Sequence, residues 1–325
     1  MAAPSNVIPL RRPCDEAGLS SVFKAAGDEL RLQILRVMAQ DSYGVSELCD
    51  IFDIKQSALS HHLRVLLEAN LLNRRKEGTN TFYRRALPSG RIASLHQQLL
   101  DQIDMDPIAA PIKRGVERVQ CQRENNSVAF FRDNAGRFRQ HQELVAPWSD
   151  YSEATLQLLD RLYKQPLNTI VEIGVGEGWL LPALRQRASS VVALDLSAKM
   201  LDLARDHAAH LTNIRFVHGS TDKLIQSNFR ADAVVANMVL HHTPDPQRIL
   251  SEAAALLAPG GSFIISELCA HDQAWAREHC GDIWLGFTPE QLQDWASHAD
   301  LELSASVFLA QRNGFQIQIQ HLKRG

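Results

Sequence analysis

The chain has 325 residues, 45% of them apolar and 22% charged, with a formal net charge of −3. This length suggests two domains, and the composition is that of an ordinary globular protein. The absence of a run of about 18 apolar residues argues against a membrane span. The five cysteines are few and widely spaced, so we expect a cytoplasmic protein without disulfides.

Positive charge is concentrated in one part of the first hundred residues. Residues 1–100 hold 13 Lys and Arg against 10 Asp and Glu, whereas the remaining residues hold 21 against 27. Between residues 55 and 91 the count is 8 basic to 2 acidic. A basic patch on an otherwise acidic chain predicts a localised surface that binds phosphates, as nucleic acids present them.

The chain begins with a segment of weak pattern, followed by short helices. Residues 1–17 carry three prolines and little periodicity, and we expect a disordered arm. Two helical patterns follow over 18–40, the second capped by Asp28. Ser46 is expected to cap a short helix over 47–52.

The next helix has two chemically different faces. It is predicted over 56–69 and ends at Asn70, and residues 71–87 predict a β-hairpin around a turn at 77–80. Leucines on one helix face can anchor it, while polar side chains on the other can reach base edges. The residues expected to contact DNA on the helix and the hairpin are Gln56, Ser57, Ser60, His61, Arg64, Arg74, Arg75, Lys76, Arg84 and Arg85.

A further amphipathic helix is predicted over 89–105, before a proline-containing linker over 106–124. The DNA-binding domain is therefore expected to span 18–105. Because nothing in this domain is predicted to cover the apolar face of that helix, we expect a second subunit to bury it. The face comprises Ile92, Leu95, Leu99 and Ile103.

Residues 18–87 resemble the ArsR-type winged-helix repressors. The resemblance lies in LSSVFKAAGDELRLQIL, VSELCDIFDIKQSALSHHLRVLLEANLL and RRKEGTNTFYRR. It implies a homodimer that binds an inverted-repeat operator in double-stranded DNA, with half-sites about 34 Å apart. Many members bind a metal through a cysteine pair before the recognition helix. Here Cys49 stands alone, with Ile51 in the place of the second cysteine, so we expect no metal at this site.

Two other groups could bind a metal, but they are weak signals. They are His207 with His210, and Cys269 and His271 with His279 and Cys280. We therefore expect no metal in this protein.

The second half of the chain predicts an α/β Rossmann-like domain over 125–325. Helical patterns cover 113–165, and strand and helix patterns then alternate from 168 to about 300. This alternation predicts a mostly parallel sheet with crossover helices. An antiparallel C-terminal hairpin is expected over 302–322, at the end of this parallel sheet. The whole chain is thus predicted to have an α+β winged helix-turn-helix domain followed by this α/β domain.

A glycine-rich turn marks a nucleotide site in this domain. The strand 170–173 leads into Gly174-Val175-Gly176-Glu177-Gly178, and a second apolar strand ends at Asp195, 17 residues after Gly178. Glycines let a ligand lie against the backbone, and a carboxylate at that strand end commonly accepts hydrogen bonds from ribose hydroxyls. The pattern predicts an adenosine ligand.

NAD is the competing ligand. Its fingerprint is G-x-G-x-x-G, whereas this turn is G-x-G-x-G. Glu172 and Glu177 flank the turn and would repel a pyrophosphate, while a carboxylate would attract the ammonium of an amino-acid ligand. S-adenosylmethionine or S-adenosylhomocysteine is therefore favoured.

Residues 125–322 resemble the class I S-adenosylmethionine-dependent methyltransferases. The segments VEIGVGEGWL, VVALDLSAKMLDLAR, ADAVVANMVLHHTPDPQRIL and LLAPGGSFIISEL carry the resemblance. It implies that 126–131 belongs to a helix over the pocket. The family often has an acidic residue after a glycine at the third strand, but here Gly219 is followed by Ser220. The ligand site implied by pattern and resemblance comprises Glu172, Gly174, Gly176, Gly178, Asp195, Leu196, Met200, Ser220, Thr221, Asn237, Met238 and Phe131.

Catalysis is not evident from the sequence. His241 or His242 could serve as a base for a methyl acceptor, although both also suit simple loop packing. The whole chain resembles the ArsR-type regulators that respond to S-adenosylhomocysteine and control methionine-cycle genes, notably in HDQAWAREHCGDIWLGFTPEQLQDW. The sequence therefore favours a dimeric repressor with an adenosyl effector. An active methyltransferase with an attached DNA-binding domain is the alternative, and a metal sensor is disfavoured by Ile51.

Overall fold

The computed structural model describes residues 16–39, 41–77, 80–135 and 137–324, and the chain divides into two compact units, Met1–Val116 and Glu117–Gly325. The predicted arm lies outside the described residues except for its last two positions, which begin a helix, Glu16–Ala26. The division falls inside another helix, Ala110–Asn134, within the segment expected to be a linker. Pro111 is tolerated there because the first helical turn does not use its missing N–H.

The first unit combines helices with a three-stranded antiparallel sheet of order β1-β3-β2. This is the predicted winged helix-turn-helix arrangement, with β2 and β3 forming the hairpin. Its elements are α1 (Glu16–Ala26), α2 (Glu29–Val37), β1 (Tyr43–Gly44), α3 (Val45–Phe52), α4 (Gln56–Glu68), β2 (Leu72–Glu77), β3 (Asn80–Arg85), a 3-10 turn (Gly90–Ile92), α5 (Ala93–Asp104) and the first turns of α6 (Ala110–Asn134).

Side-chain and backbone caps set the limits of these helices. Asp28 caps α2 as predicted, its carboxylate accepting from the Arg31 N–H at 3.0 Å. Ser46 is not a cap, because α3 begins at Val45 immediately after β1. Instead, the Glu47 carboxylate accepts from the Gly44 N–H at 2.8 Å. Asn70 adopts the expected left-handed conformation after α4, with φ of 55°.

Helix α5 is divided between buried and half-buried apolar residues. Ile103 of the predicted face needs no second subunit, because it is buried within this chain where α5 packs against α2, as is Leu100 outside that face. The other residues of the predicted face are only partly covered. The end of α5 is tied to the end of the hairpin, because Arg85 donates to both carboxylate oxygens of Asp104 at 2.6 Å. The half-buried residues are Ile92, Leu95 and Leu99.

The second unit contains a seven-stranded sheet of order β6-β5-β4-β7-β8-β10-β9. Strands β4 to β8 are parallel, and β10 pairs antiparallel with both β8 and β9. The elements are α7 (Phe138–Val145), α8 (Trp148–Leu162), β4 (Leu167–Ile173), α9 (Leu181–Arg187), β5 (Ala188–Asp195), α10 (Ala198–His207), β6 (Ile214–His218), α11 (Asp222–Gln226), β7 (Ala231–Asn237), a 3-10 turn (Leu240–His242), α12 (Pro246–Leu256), β8 (Leu257–Leu268), α13 (Trp275–Cys280), α14 (Pro289–His298), β9 (Leu301–Ala310) and β10 (Gln316–Arg324).

The strand order explains where a ligand can bind. Sequential strands run outward in opposite directions from β4, with β5 and β6 on one side and β7 and β8 on the other. The carboxyl ends of β4 and its neighbours therefore border a crevice, as in other doubly wound sheets. Apolar residues on both faces of β4, β5 and β7 are buried, which fixes the sheet beneath this crevice.

Candidate functional site

A cleft opens at the carboxyl ends of β4, β5 and β7. Of the residues that the sequence predicted for ligand binding, only Gly178 does not line it. The lining residues from that prediction are Glu172, Gly174, Gly176, Asp195, Leu196, Met200, Ser220, Thr221, Asn237, Met238 and Phe131. Sequence motifs from separate strands thus meet at one place.

The three glycines of the turn after β4 have different structural roles. All have positive φ, of 67° at Gly174, 54° at Gly176 and 80° at Gly178. A Cβ at Gly174 would lie 2.5 Å from the Val239 side chain, and one at Gly178 would lie 2.9 Å from Cα of Ala204. Gly176 has no such neighbour within 4 Å, so its backbone is open to a ligand. Gly178 therefore serves packing of the turn against α10.

Glu172 brings an unsatisfied carboxylate into the cleft. The residue is 3% exposed, and its Oε2 atom has no hydrogen-bond partner in the described part of the chain. Burial, together with the nearby charge of Asp195, raises the pKa of Glu172 to about 8. A buried, unpaired acceptor is costly, and a cationic ligand group would satisfy it.

Asp195 is held in place by backbone groups on both sides. Its Oδ2 accepts from the Gly176 N–H at 2.9 Å and its Oδ1 from the Ser197 N–H at 2.8 Å. Burial raises the pKa of Asp195 to about 6, and these hydrogen bonds oppose the shift. Each carboxylate oxygen retains a second lone pair, so this fixed group can accept from the two hydroxyls of a ribose.

The end of β7 presents a polar side chain and a strained backbone. The Asn237 Oδ1 accepts from the Thr155 hydroxyl at 3.2 Å, which orients the amide within the cleft. Met238 follows with φ of 53°, unusual for a residue other than glycine, and its N–H donates to the Ser266 carbonyl at 2.7 Å. Such strain persists where the surrounding structure over-determines it, commonly at binding sites.

The two histidines after β7 differ in their surroundings. His242 lines the cleft and packs edge-on against Phe131 of α6, with ring centroids 4.9 Å apart. His241 does not line it, and its Nδ1 lies 2.5 Å from the Glu267 Oε1 in the interior. Burial lowers the pKa of His241 to about 3 and that of His242 well below its ordinary value. His242 alone is therefore in reach of a bound ligand.

After β6, Gly219 is followed by Ser220 where the family often has an acidic residue, and another residue supplies a carboxylate there. Ser220 and Thr221 line the cleft, but Asp222 is engaged elsewhere, accepting from Ser220 and from Arg248, each at 2.9 Å. The Thr221 hydroxyl donates to Glu252 of α12, which also lines the cleft. Glu252, which the sequence did not single out, is thus the carboxylate at this position.

A group of residues that the sequence also missed lines the cleft near Glu172. The Arg139 guanidinium lies 4.2 Å from the centroid of the Trp179 ring, and the Trp179 indole N–H donates to the Glu177 carboxylate at 2.8 Å. Tyr151 is buried, and its pKa is raised well above its ordinary value chiefly by desolvation, with Glu143, Arg139 and Glu172 acting on it through their charges. Both signs of charge therefore meet at one end of the cleft.

The predicted DNA-contacting face of α4 is exposed, and its opposite face is buried. Leu59, Leu63 and Leu66 are at most 1% exposed and anchor the helix. The Ser60 hydroxyl donates to the Gln56 carbonyl at 2.7 Å, and Arg64 lies 3.9 Å from Glu68. The exposed side chains on the predicted face are those of Gln56, Ser57, Ser60, His61 and Arg64.

The basic residues of the hairpin are not equivalent. Arg74 and Lys76 are exposed, whereas Arg75 and Arg84 are half-buried, and burial lowers the pKa of Arg75 to about 10. Arg85 was predicted to reach DNA, but its guanidinium donates to the Asp104 carboxylate and to the Leu35 carbonyl. The accessible charge of the hairpin is therefore that of Arg74 and Lys76.

Comparisons with known proteins agree with this two-part description. Residues 28–74 match the family model described as bacterial regulatory protein, arsR family, and residues 171–265 match the model described as methyltransferase domain. The chain combines an arsR-family helix-turn-helix domain with a methyltransferase domain. Among the described residues, no helix has the length and apolar composition that crossing a bilayer requires.

Relatives of the second domain are methyltransferases. A ubiquinone biosynthesis O-methyltransferase from Coxiella burnetii is 28% identical over 148 residues, which cover 41% of this chain and 63% of that protein. One from Alkalilimnicola ehrlichii is 30% identical, covering 41% and 60%. The N-methyltransferase NodS from Bradyrhizobium japonicum, solved with S-adenosyl-L-homocysteine, has a TM-score of 0.45 and 17% identity, covering 57% of this chain and 97% of NodS. The chain thus spans less than two thirds of the length of these O-methyltransferases.

Proposed function

We propose that this protein is a transcriptional repressor whose methyltransferase domain binds S-adenosylhomocysteine or S-adenosylmethionine as an effector. In this proposal it acts as a homodimer on an inverted-repeat operator and controls genes of the methionine cycle or of methylation. The exposed polar face of α4 and the cations Arg74 and Lys76 supply the DNA-contacting surface.

The unsatisfied carboxylate of Glu172 is the observation that supports this ligand class most strongly. Glu172 lines the cleft and its buried Oε2 has no partner in the described chain, so an ammonium bound beside this carboxylate would donate to it. A dinucleotide would bring phosphates toward the same carboxylate and be repelled. Asp195, at the neighbouring strand end, offers acceptors for a ribose. The two groups together suit an adenosine joined to an amino acid.

The cation beside Glu172 supports the same ligand class. Arg139 lines the cleft together with Glu172, and both act on the pKa of Tyr151. A zwitterionic amino acid needs an anion for its ammonium and a cation for its carboxylate. We propose that Glu172 and Arg139 have these two roles, with Trp179 fixing the guanidinium by stacking.

Exposed apolar residues of the first unit support a dimer. Phe23 of α1 is 60% exposed and Leu19 is 37% exposed, and Ile92 of the 3-10 turn is only half-buried, as are Leu95 and Leu99 of α5. Large apolar side chains left in water favour association with a second copy. A twofold dimer would present two α4 helices to the two halves of an inverted repeat.

Helix α6 offers a route by which the effector could act on DNA binding. Its residues Ser127, Val128 and Phe131 line the cleft, and its first turns belong to the DNA-binding unit. We propose that the ligand favours one conformation of α6 and thereby lowers operator affinity. A hundredfold change in affinity requires about 2.7 kcal/mol of differential binding between the two states.

An active methyltransferase is the second candidate function. His242 lines the cleft, and burial keeps its imidazole neutral and able to accept a proton, while the lowered pKa makes it a weaker base than an ordinary histidine. Bound S-adenosylmethionine would supply the methyl group. The chain's part would be to orient an acceptor and receive its proton, and orientation provides most of the acceleration in such reactions.

Titration calorimetry combined with operator binding distinguishes the two functions. Purified full-length protein is titrated with S-adenosylhomocysteine and with S-adenosylmethionine, and affinity for a promoter fragment from its own locus is measured with each ligand. The sensor proposal expects tight binding of an adenosyl ligand and a change in operator affinity. Binding of S-adenosylmethionine without any effect on DNA affinity would reject it in favour of the methyltransferase.

A further inference from the structure

A cluster of buried titratable groups lies behind the cleft wall. It comprises His241 and His242 of the turn after β7 and Asp282 of the loop after α13. We infer that these three side chains form a binding site for a divalent first-row transition metal such as Zn²⁺. The sequence did not single out this site, because Asp282 lies 40 positions after His242.

The distances suit a shared ion. The Asp282 Oδ1 lies 3.9 Å from Nε2 of His241 and 3.8 Å from Nδ1 of His242. Zinc bonds of about 2.0–2.1 Å at tetrahedral angles place ligand atoms about 3.4 Å apart. A contraction of about half an ångström would therefore bring Asp282 to ligand spacing from each histidine, within a group whose ligand atoms all lie within 4.8 Å of one another. All three residues are buried, so the ligands are preorganised by packing.

The surroundings of His241 match the second shell of a metal site. Its Nδ1 is 2.5 Å from Glu267 Oε1, which leaves Nε2 directed toward Asp282. A metal-binding histidine almost always donates its other ring N–H to a carboxylate or carbonyl, which fixes the ring and strengthens the ligand. Glu267 is thus a positioning residue. Without an ion, Nδ1 of His242 donates to the Gly281 carbonyl at 3.2 Å, and metal binding through Nδ1 would replace this hydrogen bond.

Charge balance supports a cation at this place. Glu267 and Asp282 are both buried, and neither oxygen of Asp282 accepts a hydrogen bond in the described part of the chain. Arg277 partly offsets the charge of Asp282. Two buried carboxylates cost several kcal/mol in ordinary proteins unless they are protonated or paired with a cation. One divalent ion would neutralise both and satisfy Asp282.

The ligand set selects the class of metal. Two imidazoles and one carboxylate suit Zn²⁺, Co²⁺ or Fe²⁺, whereas Mg²⁺ and Ca²⁺ prefer oxygen ligands. This site shares no residue with the cysteine-containing groups considered from the sequence. Asp282 and His241 do not line the cleft, so His242 is the one ligand of this set that the proposed metal site shares with it.

Metal titration of chelator-treated, full-length protein tests the site. We expect one Co²⁺ per chain, with the visible absorption of a tetrahedral or five-coordinate ion, and displacement by Zn²⁺. Asp282→Asn and His242→Gln should each weaken Zn²⁺ affinity by at least tenfold, and Glu267→Gln should do so by roughly tenfold through the second shell.

Matched controls separate this site from others. Cys49→Ser and His207→Gln should leave the stoichiometry and affinity unchanged, and circular dichroism identifies any variant that does not fold. Failure of the unmodified protein to bind Co²⁺ or Zn²⁺ would overturn the proposal. Binding that is lost in Cys49→Ser and kept in Asp282→Asn would overturn it equally.

Discussion

Gly115 of α6 lies directly against the backbone of Ile51 in α3. A Cβ at position 115 would lie 2.5 Å from the Ile51 carbonyl oxygen and 2.7 Å from its Cα, both far inside contact distance. Glycine is thus required for α6 to approach the helix that precedes α4. The same α6 carries Phe131 of the cleft, so this contact is where an effect of the ligand could reach the DNA-binding unit.

Gly115→Ala is expected to lower operator affinity by tenfold or more, because α6 must move away from α3 to accommodate the methyl group. Affinity for S-adenosylhomocysteine should stay within about twofold, since no cleft residue changes. Fluorescence anisotropy with an operator fragment and calorimetry measure the two quantities. Lys113→Ala, an exposed change two positions earlier in α6, is the control and should alter neither. Unchanged operator affinity in Gly115→Ala would rule out this packing requirement.

Glu172→Gln is expected to weaken the binding of S-adenosylhomocysteine by roughly tenfold to a hundredfold, the usual range for the loss of a hydrogen bond to a charged group. Affinity for 5′-deoxy-5′-methylthioadenosine, which lacks the amino-acid group, should hardly change. Because the pKa of Glu172 is about 8 without ligand, binding of an ammonium near neutral pH should also release a proton. Calorimetry in two buffers of different ionisation enthalpy measures that release, and equal weakening of both ligands would contradict the assigned role.

Arg139→Gln tests the proposed partner of the ligand carboxylate. The side chain is 45% exposed, so solvent partly screens its charge. We therefore expect the affinity for S-adenosylhomocysteine to fall by about fivefold. Methylthioadenosine again serves as the comparison ligand and should bind as before. Arg132→Gln is the control, since that exposed arginine pairs with Asp133 and does not line the cleft. A loss shared by both ligands would indicate that Arg139 only supports the pocket wall.

The stability of the ligand-free protein should fall as pH rises through neutrality. Glu172 in the unfolded chain ionises near its ordinary pKa of 4.5, whereas the folded state holds the proton until about 8. Between these values the folded state binds more protons, so the free energy of unfolding decreases by up to about 1.4 kcal/mol per pH unit from this group.

Urea unfolding at about pH 6.5 and about pH 8 measures this decrease. Histidines, whose ordinary pKa is about 6.5, titrate in the same range, but they contribute equally to the unmodified protein and to a Glu172 variant. Glu172→Gln cannot ionise and should show a smaller decrease between the two pH values. Glu177→Gln provides a control on the exposed side of the same turn. An identical decrease in Glu172→Gln and the unmodified protein would show that Glu172 does not cause it.

Two substitutions in the first unit should separate phosphate contacts from base contacts. Arg74→Ala is expected to weaken binding to all DNA sequences alike and to reduce the dependence of log affinity on log salt by about 1. His61→Ala should instead reduce discrimination between the operator and scrambled DNA, by about 1–3 kcal/mol. Arg85→Ala offers a contrast, because Arg85 is bound to Asp104 and should affect folding stability more than the salt dependence.

The sequence predicted the parts of the structure that local patterns determine. The spacing of Leu59, Leu63 and Leu66 indicated the buried face of α4, and the glycine turn followed by Asp195 indicated the crevice. In each case the residues concerned are close together in the chain or recur with the spacing of a single helix or strand. Asp28 was identifiable as a cap because its hydrogen bond is to the third residue after it.

Contacts made by tertiary structure could not be predicted in the same way. Arg139 of α7 meets Trp179 of the turn after β4, and no periodicity relates the two positions. Ser46 had the right side chain for a cap, but β1 ends at Gly44 and the helix starts one residue too early for Ser46 to act. Arg85 looked like its basic neighbours, and only the position of Asp104 distinguishes it.

The place of β10 in the sheet has a consequence for folding during synthesis. This strand, Gln316–Arg324, lies between β8 and β9, although both precede it in the chain. When β9 has been synthesised, β10, its neighbour in the described sheet, has not yet been made, and the edge of β8 is still open. An open edge invites pairing with other chains until it is covered. Slow or interrupted translation near residue 310 should therefore expose nascent chains to aggregation, whereas the winged helix, built from contacts within its own unit, can fold much earlier.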